Sequence, residues 1–200
     1  MTSYDVIEYW NKRDNPNSKN PNERNTLKHI SFVKENIRLN DKILDYGPGV
    51  GRILPAYSEN NQITGYDVSS KYRDRLLETA RQQKIELKLI IDKAILTEFS
   101  FNNNEFDVAV SISVLLHQPP KDIVNIMCEL ARVATKVAIV SWHNPTIPYD
   151  SSDEKPDNSK FCFNHDYKEI CKENNLKIDS WQYDNETKQI YFVYRRVIKP

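Results

Sequence analysis

Short apolar runs alternate with amphipathic stretches from residue 42 onward, and this alternation restricts the possible folds more than any other feature of the sequence. The stretches 72–83 and 122–133 have the spacing of amphipathic helices. The strand-like apolar runs around them cover residues 43–45, 62–67, 85–92, 106–112 and 136–140. Strands that alternate with helices are typical of βαβ units. The chain is therefore predicted to form an α/β fold with a mostly parallel sheet.

The last two strand-like runs predict a different kind of connection. They cover residues 176–183 and 189–197, and only the five residues Asp184–Lys188 separate them. A parallel crossover needs about a dozen residues or more, so these two strands should pair in antiparallel fashion. The expected sheet is parallel, with an antiparallel hairpin at the end of the chain.

The first 40 residues carry a separate pattern. Ile7 and Trp10 have helical spacing, and residues 23–36 form a second amphipathic stretch. Two prolines and several asparagines in residues 14–22 interrupt the two helices. We expect a helical extension over residues 1–40 and one main domain over residues 41–200.

Composition excludes several classes of protein. The 200 residues carry a formal net charge of +0, which disfavours a nucleic-acid partner because such proteins usually present a basic face. No run approaches the roughly 20 apolar residues that span a bilayer, so no membrane partner is expected. The first five residues lack the basic and apolar regions of a secretory signal, and the three cysteines form no CxxC pair. These features favour a cytoplasmic protein without disulfides and without a structural zinc ion.

Three of the four glycines, Gly47, Gly49 and Gly51, lie together directly after the first strand-like run. Such a loop turns tightly and lets a ligand approach the backbone without meeting a Cβ atom. A dinucleotide site is disfavoured, because Arg52 stands where the third glycine of G-x-G-x-x-G would fall. A phosphate-binding P-loop is also disfavoured, since no Lys-Ser/Thr pair follows. Asp45, just before the glycines, would repel a pyrophosphate and suits a ligand that carries an ammonium group.

The resulting pattern, Asp45-Tyr46-Gly47-Pro48-Gly49-Val50-Gly51, resembles the first motif of the class I S-adenosylmethionine-dependent methyltransferases. The resemblance extends over about residues 41–200. It implies a three-layer, Rossmann-like, seven-stranded sheet of order 3-2-1-4-5-7-6 whose last strand is antiparallel. It also implies that S-adenosylmethionine is the cofactor and S-adenosylhomocysteine the product.

The resemblance assigns further cofactor contacts along the chain. Asp67 ends the second strand 22 residues after Asp45, where the family's acid accepts hydrogen bonds from both ribose hydroxyls. Val68 and Tyr72 match positions that flank the adenine. The expected cofactor-binding residues of the main domain are Asp45, Tyr46, Gly47, Pro48, Gly49, Gly51, Asp67, Val68, Tyr72, Asp92, Lys93 and Ser111.

The N-terminal extension offers two more cofactor contacts. Tyr9 and Arg13 belong to a Trp-x-x-Arg stretch that resembles a segment ahead of the core in several of these enzymes. One interpretation is a lid in which Tyr9 or Arg13 meets the cofactor carboxylate. The other is an amphipathic helix that simply packs Trp10 on the core, and the sequence leaves both open.

Two histidines are candidates for a general base. His117 follows the fourth strand and His143 follows the fifth, at the edge of the sheet where ligands of open α/β folds bind. A histidine can remove a proton from a hydroxyl or amine near neutral pH. Each could equally hold a neighbouring loop in place. Methyl transfer from a sulfonium requires no metal, and the sequence suggests no metal ligands.

The acceptor remains the least determined part of the prediction. Ser111-Ile112-Ser113-Val114 stands where enzymes that methylate exocyclic or amide nitrogens often carry [D/N]-P-P-[Y/F], which disfavours DNA adenine or glutamine acceptors. Short insertions favour a small-molecule acceptor methylated on oxygen or nitrogen. A protein or tRNA methyltransferase, an aminopropyltransferase and a non-catalytic cofactor-binding relative are the alternatives.

Overall fold

The computed structural model describes residues 6–12, 23–92, 98–151 and 162–197. A seven-stranded sheet of order β3-β2-β1-β4-β5-β7-β6 forms its centre. The strands are β1 Lys42–Tyr46, β2 Gln62–Asp67, β3 Leu87–Ile91, β4 Phe106–Ile112, β5 Ala134–Trp142, β6 Leu176–Asp184 and β7 Gln189–Arg196. This order confirms the predicted fold class.

Helices cover both faces of the sheet. They are α1 Val6–Lys12, α2 Glu23–Asn36, α3 Arg73–Gln82, α4 Pro120–Val133 and α5 Tyr167–Glu173. One apolar core contains Val33 of α2 and Leu76 of α3. The core on the opposite face contains Met127 of α4 and Tyr167 of α5. The molecule thus has the three layers that the alternating pattern predicts.

Strand β7 is the antiparallel member of the sheet. It pairs antiparallel with β5 on one side and with β6 on the other, whereas β1 to β5 pair in parallel. The turn between β6 and β7 lies beside the end of β5, because both Trp142 and Asp184 pair with Gln189. The hairpin deduced from its short connection is therefore confirmed.

The segment after β1 departs from a regular βαβ unit. The glycine loop is followed by a 3₁₀ turn over Leu54–Ala56 and not by an α-helix. Pro55 lies in this turn, where it has no N–H to donate to a longer helix. The chain then passes through Tyr57 directly into the connection to β2. This shortened segment brings Tyr57 beside the glycine loop, which bears on the site described below.

None of the helices in the described ranges is long and apolar enough to cross a membrane. All three cysteines, Cys128, Cys162 and Cys171, are free thiols.

Candidate cofactor and acceptor site

The glycine loop connects β1 to the 3₁₀ turn at the carboxyl end of the parallel strands. The Gly47 N–H donates to the Tyr66 carbonyl at 2.9 Å, which fixes the loop to β2. A Cβ atom on Gly47 (φ +77°) would lie 2.6 Å from Val114 Cγ2. A Cβ atom on Gly49 (φ +54°) would meet nothing within 4 Å. Packing therefore requires glycine at position 47, whereas the loop at Gly49 is open to a ligand.

Asp67 joins this loop to the turn after β2. Its Oδ2 accepts from the Gly49 N–H at 3.3 Å, and its Oδ1 accepts from the Ser69 N–H at 3.0 Å. Burial raises the pKa of the Asp67 carboxyl, and these backbone donors oppose the rise. A carboxylate oxygen accepts more than one hydrogen bond. Asp67 is thus placed at the open glycine with capacity for hydroxyl donors of a ligand.

Asp45 lies beneath the loop and is 4 % exposed. Burial raises its pKa to about 7, although the Tyr57 hydroxyl donates to Asp45 Oδ2 at 2.9 Å and favours the charged form. A nearby cation would favour the charged form further. The residues at this position therefore fit the ammonium-bearing ligand that the sequence suggests. The sequence did not predict the role of Tyr57, because no motif includes a tyrosine in the turn after the loop.

The ends of β2 and β3 complete the row of acids. The Asp92 N–H donates to the Asp67 carbonyl at 3.0 Å, and the Tyr66 hydroxyl donates to Asp92 Oδ2 at 3.2 Å. Tyr72 is buried immediately before α3, and Val68 packs partly buried against the core. Asp45, Asp67 and Asp92 therefore lie at the carboxyl ends of the three neighbouring strands β1, β2 and β3.

Residues 43–136, which include this row of acids, match the family model of the methyltransferase domain. Over this stretch the chain is similar to methyltransferase domains. A phosphatidylethanolamine N-methyltransferase from Cereibacter sphaeroides is 28 % identical over 101 residues, which are 50 % of this chain and 50 % of that protein. The chain thus spans about half the length of this curated relative.

Solved structures share the fold over nearly the whole chain. A protein from Pyrococcus horikoshii OT3 has a TM-score of 0.73 at 15 % identity, covering 95 % of this chain and 99 % of that one. Magnesium protoporphyrin IX methyltransferase from Synechocystis PCC 6803, with bound S-adenosylhomocysteine, has a TM-score of 0.72 at 14 % identity, covering 96 % and 98 %.

A third structure contains an acceptor as well as the product. Phosphoethanolamine N-methyltransferase 1 from Haemonchus contortus, in complex with phosphoethanolamine and S-adenosylhomocysteine, has a TM-score of 0.71 at 10 % identity, covering 97 % of this chain and 48 % of that one. At such low identities the likeness establishes the shared fold. Both methyltransferase structures named here contain bound S-adenosylhomocysteine.

His117 lies in a 3₁₀ turn after β4 and is 9 % exposed. Its ring centroid lies 4.9 Å from that of Trp10, edge to face, and 6.4 Å from that of Tyr9. Cys162 Sγ lies 3.9 Å from His117 Nδ1. The histidine predicted as a base is therefore brought together with the N-terminal helix.

The other end of helix α1 contacts the turn after β2. The Ser69 hydroxyl donates to Asn11 Oδ1 at 2.8 Å, and Lys71 Nζ donates to the Lys12 carbonyl at 3.4 Å. Strand β1 lies between β2 and β4 in the sheet. Helix α1 therefore bridges the end of β1, which carries the glycine loop, and contacts the neighbouring turns on both sides.

A buried polar chain links the glycine loop to α2 and β7. Arg52 Nη1 donates to His29 Nδ1 at 2.7 Å, and His29 Nε2 lies 3.0 Å from Gln189 Oε1. Burial is the main reason that the pKa of His29 falls to about 4, so the imidazole is neutral at pH 7 and accepts from Arg52. Sequence reasoning missed this chain, because its members are far apart along the sequence.

Several predicted contacts have positions that limit their roles. The Tyr46 ring is buried and stacks on Phe99, so only its backbone borders the loop. Ser111 is 0 % exposed within β4, and its hydroxyl has no hydrogen-bond partner among the described residues, so its cofactor contact stays a prediction. Arg13 and Lys93 lie outside the described residues.

His143, the second candidate base, contacts a different group of residues. Its ring lies among those of Tyr149, Trp181 and Tyr183, at centroid distances of 5.8, 5.8 and 6.1 Å. These rings belong to the loop after β5 and to the edge strand β6. His143 thus borders a cavity that these rings line, whereas His117 lies next to α1.

Proposed function

We propose that this protein is an S-adenosylmethionine-dependent methyltransferase that methylates an oxygen or nitrogen atom of a small-molecule acceptor. The observation that carries the proposal is the open glycine loop between the buried carboxylate of Asp45 and the partly buried carboxylate of Asp67. Gly49 presents backbone without a side chain, Asp67 lies within hydrogen-bond distance of it, and Asp45 lies beneath. This combination suits a ligand with a ribose diol at one end and an ammonium group at the other.

Different residues of the main domain would bind different parts of the cofactor. Asp67 would accept from the ribose hydroxyls, Asp45 would offset the ammonium charge, and Asp92, Val68 and Tyr72 would border the adenine. When bound, S-adenosylmethionine supplies a methyl group on a positively charged sulfur, which leaves as a neutral thioether. Alignment of the acceptor with this methyl group is worth about 7–11 kcal/mol in well-oriented reactions.

His117 is the proposed general base. An acceptor O–H or N–H that gains a methyl group must release its proton, and an imidazole nitrogen of His117 would receive it. The turn that holds His117 also holds Val114, whose side chain closes against Gly47. This contact links the proposed base to the cofactor loop. General bases contribute about 10²–10⁴-fold to rate.

The covering helix supports a compact acceptor. Tyr9 and Trp10 of α1 lie over His117, and Phe163 packs with Val6 of the same helix. We propose that α1 is part of a lid formed by residues 1–40, and that residues 41–200 form the cofactor-binding domain. Three of the similar proteins are named for methylation of phosphatidylethanolamine, magnesium protoporphyrin IX and phosphoethanolamine, which also supports this class. The amine acceptors of two of them make an amine the first acceptor to test.

Calorimetric titration with S-adenosylmethionine and S-adenosylhomocysteine tests the cofactor site directly. We expect micromolar binding that falls at least about 100-fold in Asp67→Ala, because the loss of hydrogen bonds to a charged group costs roughly 1.5–3 kcal/mol each. Asp179→Ala, which removes an exposed acid on β6, is the matched control and should bind normally. Equal affinity of Asp67→Ala and the unaltered protein would refute the site.

A further inference from the structure

A cavity lies beside the edge of the sheet, between the loop after β5, helix α5 and strand β6. Its volume is about 210 Å³, compared with about 30 Å³ for a water molecule in the liquid. We call it the aromatic pocket, and its walls include His143, Tyr149, Asp166, Lys168, Trp181 and Tyr183. The proposed methyl transfer uses none of these residues.

Aromatic faces enclose much of this pocket. Tyr149 stacks on His143 at an interplanar angle of 22°, while Trp181 and Tyr183 stand nearly perpendicular to it at 89° and 87°. The faces of tyrosine and tryptophan rings carry negative partial charge and attract cations. One ring already holds a cation of the chain itself, since Lys168 Nζ lies 4.6 Å from the Trp181 ring centroid.

Two polar atoms of the pocket residues lack hydrogen-bond partners among the residues that the structure describes. They are His143 Nδ1 and the Tyr183 hydroxyl, both buried. His143 is 6 % exposed, and burial lowers its pKa, so its neutral ring carries one donor and one acceptor nitrogen. Buried polar atoms are rarely left unpaired, and such atoms in a cavity indicate a missing partner.

The charge of the pocket favours a positive ligand over a negative one. Asp166 supplies a carboxylate, and the unpaired His143 nitrogen is also an acceptor. Lys168 is the opposing charge among the lining residues, and its ammonium already lies over a ring. We propose that the aromatic pocket binds a small organic cation, of the alkylammonium class, independently of the cofactor site.

Residues 162–165 connect this pocket to the proposed acceptor site. At one end, the N–H of Asn144, the residue after His143, donates to Asn164 Oδ1 at 2.9 Å, and at the other Cys162 Sγ lies 3.9 Å from His117 Nδ1. Between them, the Phe163 N–H donates to the Leu116 carbonyl at 2.7 Å. An occupant of the aromatic pocket would therefore lie one short segment away from the turn that carries His117.

Tetramethylammonium chloride is the probe, titrated while the indole N–H signals of the three tryptophans are followed by NMR. We expect a saturable, millimolar response at Trp181 that sodium chloride does not produce. tert-Butanol, a neutral molecule of similar shape, should bind about two- to fivefold more weakly, because cation–π attraction at exposed sites is worth roughly 0.5–1 kcal/mol. Equal binding of both probes, or no saturable response, would overturn the proposal.

Two variants separate a cation site from its alternatives. Asp166→Asn keeps a helix-capping side chain and should weaken tetramethylammonium binding about tenfold through loss of the charge. Lys168→Gln removes a competing cation from an exposed position and should strengthen binding about two- to fivefold. A pocket that instead binds sulfate, and loses it in Lys168→Gln, would contradict the inference. Asp67→Ala should leave tetramethylammonium binding unchanged, so failure of the methyltransferase proposal remains distinguishable.

Discussion

The glycine-loop region and the aromatic pocket differ in whether their buried polar groups have hydrogen-bond partners. Around the loop, Asp45 accepts from Tyr57, Asp67 accepts from two backbone N–H groups, and His29 is bonded on both ring nitrogens. In the pocket, two polar atoms have no partner in the described part of the chain. The first region is held together by its polar groups, so substitutions there should affect stability as well as ligand binding. The second should tolerate substitution and reveal ligand effects alone.

The largest expected effect lies in turnover rather than stability. We expect His117→Gln to lower the methyl-transfer rate about 10²–10⁴-fold, because a general base contributes that much. Cofactor affinity should change little, since no proposed cofactor contact is removed. Single-turnover methylation of an acceptor identified by screening measures the rate, and calorimetry measures the cofactor affinity. His143→Gln is the matched control and should retain the rate if His143 serves only the aromatic pocket.

The second effect is a pair of opposing pH dependences within the loop region. Asp45 has its pKa raised from 3.8 to about 7, so the folded state binds the proton more tightly and stability falls as pH rises from 4 to 7. His29 has its pKa lowered from 6.5 to about 4, so stability rises with pH over nearly the same range. At 1.36 kcal/mol per pKa unit, the contribution is about 4 kcal/mol for Asp45 and about 3 kcal/mol for His29.

Urea unfolding between pH 4.5 and 7.5 separates the two contributions. Asp45→Asn keeps an acceptor for Tyr57 and removes the Asp45 contribution to stability, which decreases as pH rises. The unfolding free energy of this variant should therefore rise with pH more steeply than that of the unaltered protein. His29→Gln removes the His29 contribution, which increases with pH, so its unfolding free energy should fall with pH more steeply than that of the unaltered protein. Identical pH slopes in the two variants would show that neither group titrates as its burial implies.

The third effect distinguishes two glycines of the same loop. Gly47→Ala would place a Cβ atom 2.6 Å from Val114, and we expect a loss of about 1–3 kcal/mol in unfolding free energy. Gly49→Ala meets no neighbouring atom and should cost about 1 kcal/mol, from its left-handed backbone alone. The Gly49 variant should nevertheless lose cofactor affinity, because its new methyl group fills the open surface. Thermal unfolding and calorimetry together test both statements.

How far the sequence predicts these two regions follows from how each is assembled. The glycine loop and Asp67 belong to short segments whose residues are neighbours in the chain, and a parallel sheet aligns their strand ends. The aromatic pocket draws on the loop after β5, the start of α5 and strand β6, so its members meet only through tertiary packing. His143 was visible as a histidine after a strand, but its ring neighbours were not. The Arg52–His29–Gln189 chain escaped prediction for the same reason.

The smallest effect compares two tyrosine hydroxyls, one from each region. Tyr57→Phe removes the donor to buried Asp45 and should cost about 1–3 kcal/mol, because it leaves the carboxyl without that hydrogen bond. Tyr183→Phe removes a hydroxyl with no partner in the described residues, so stability should change by less than about 0.5 kcal/mol. Urea unfolding at pH 7 measures both. A comparable loss in the two variants would mean that the Tyr183 hydroxyl is already satisfied within the protein. The aromatic pocket would then lack one of the two unpaired atoms that point to a ligand.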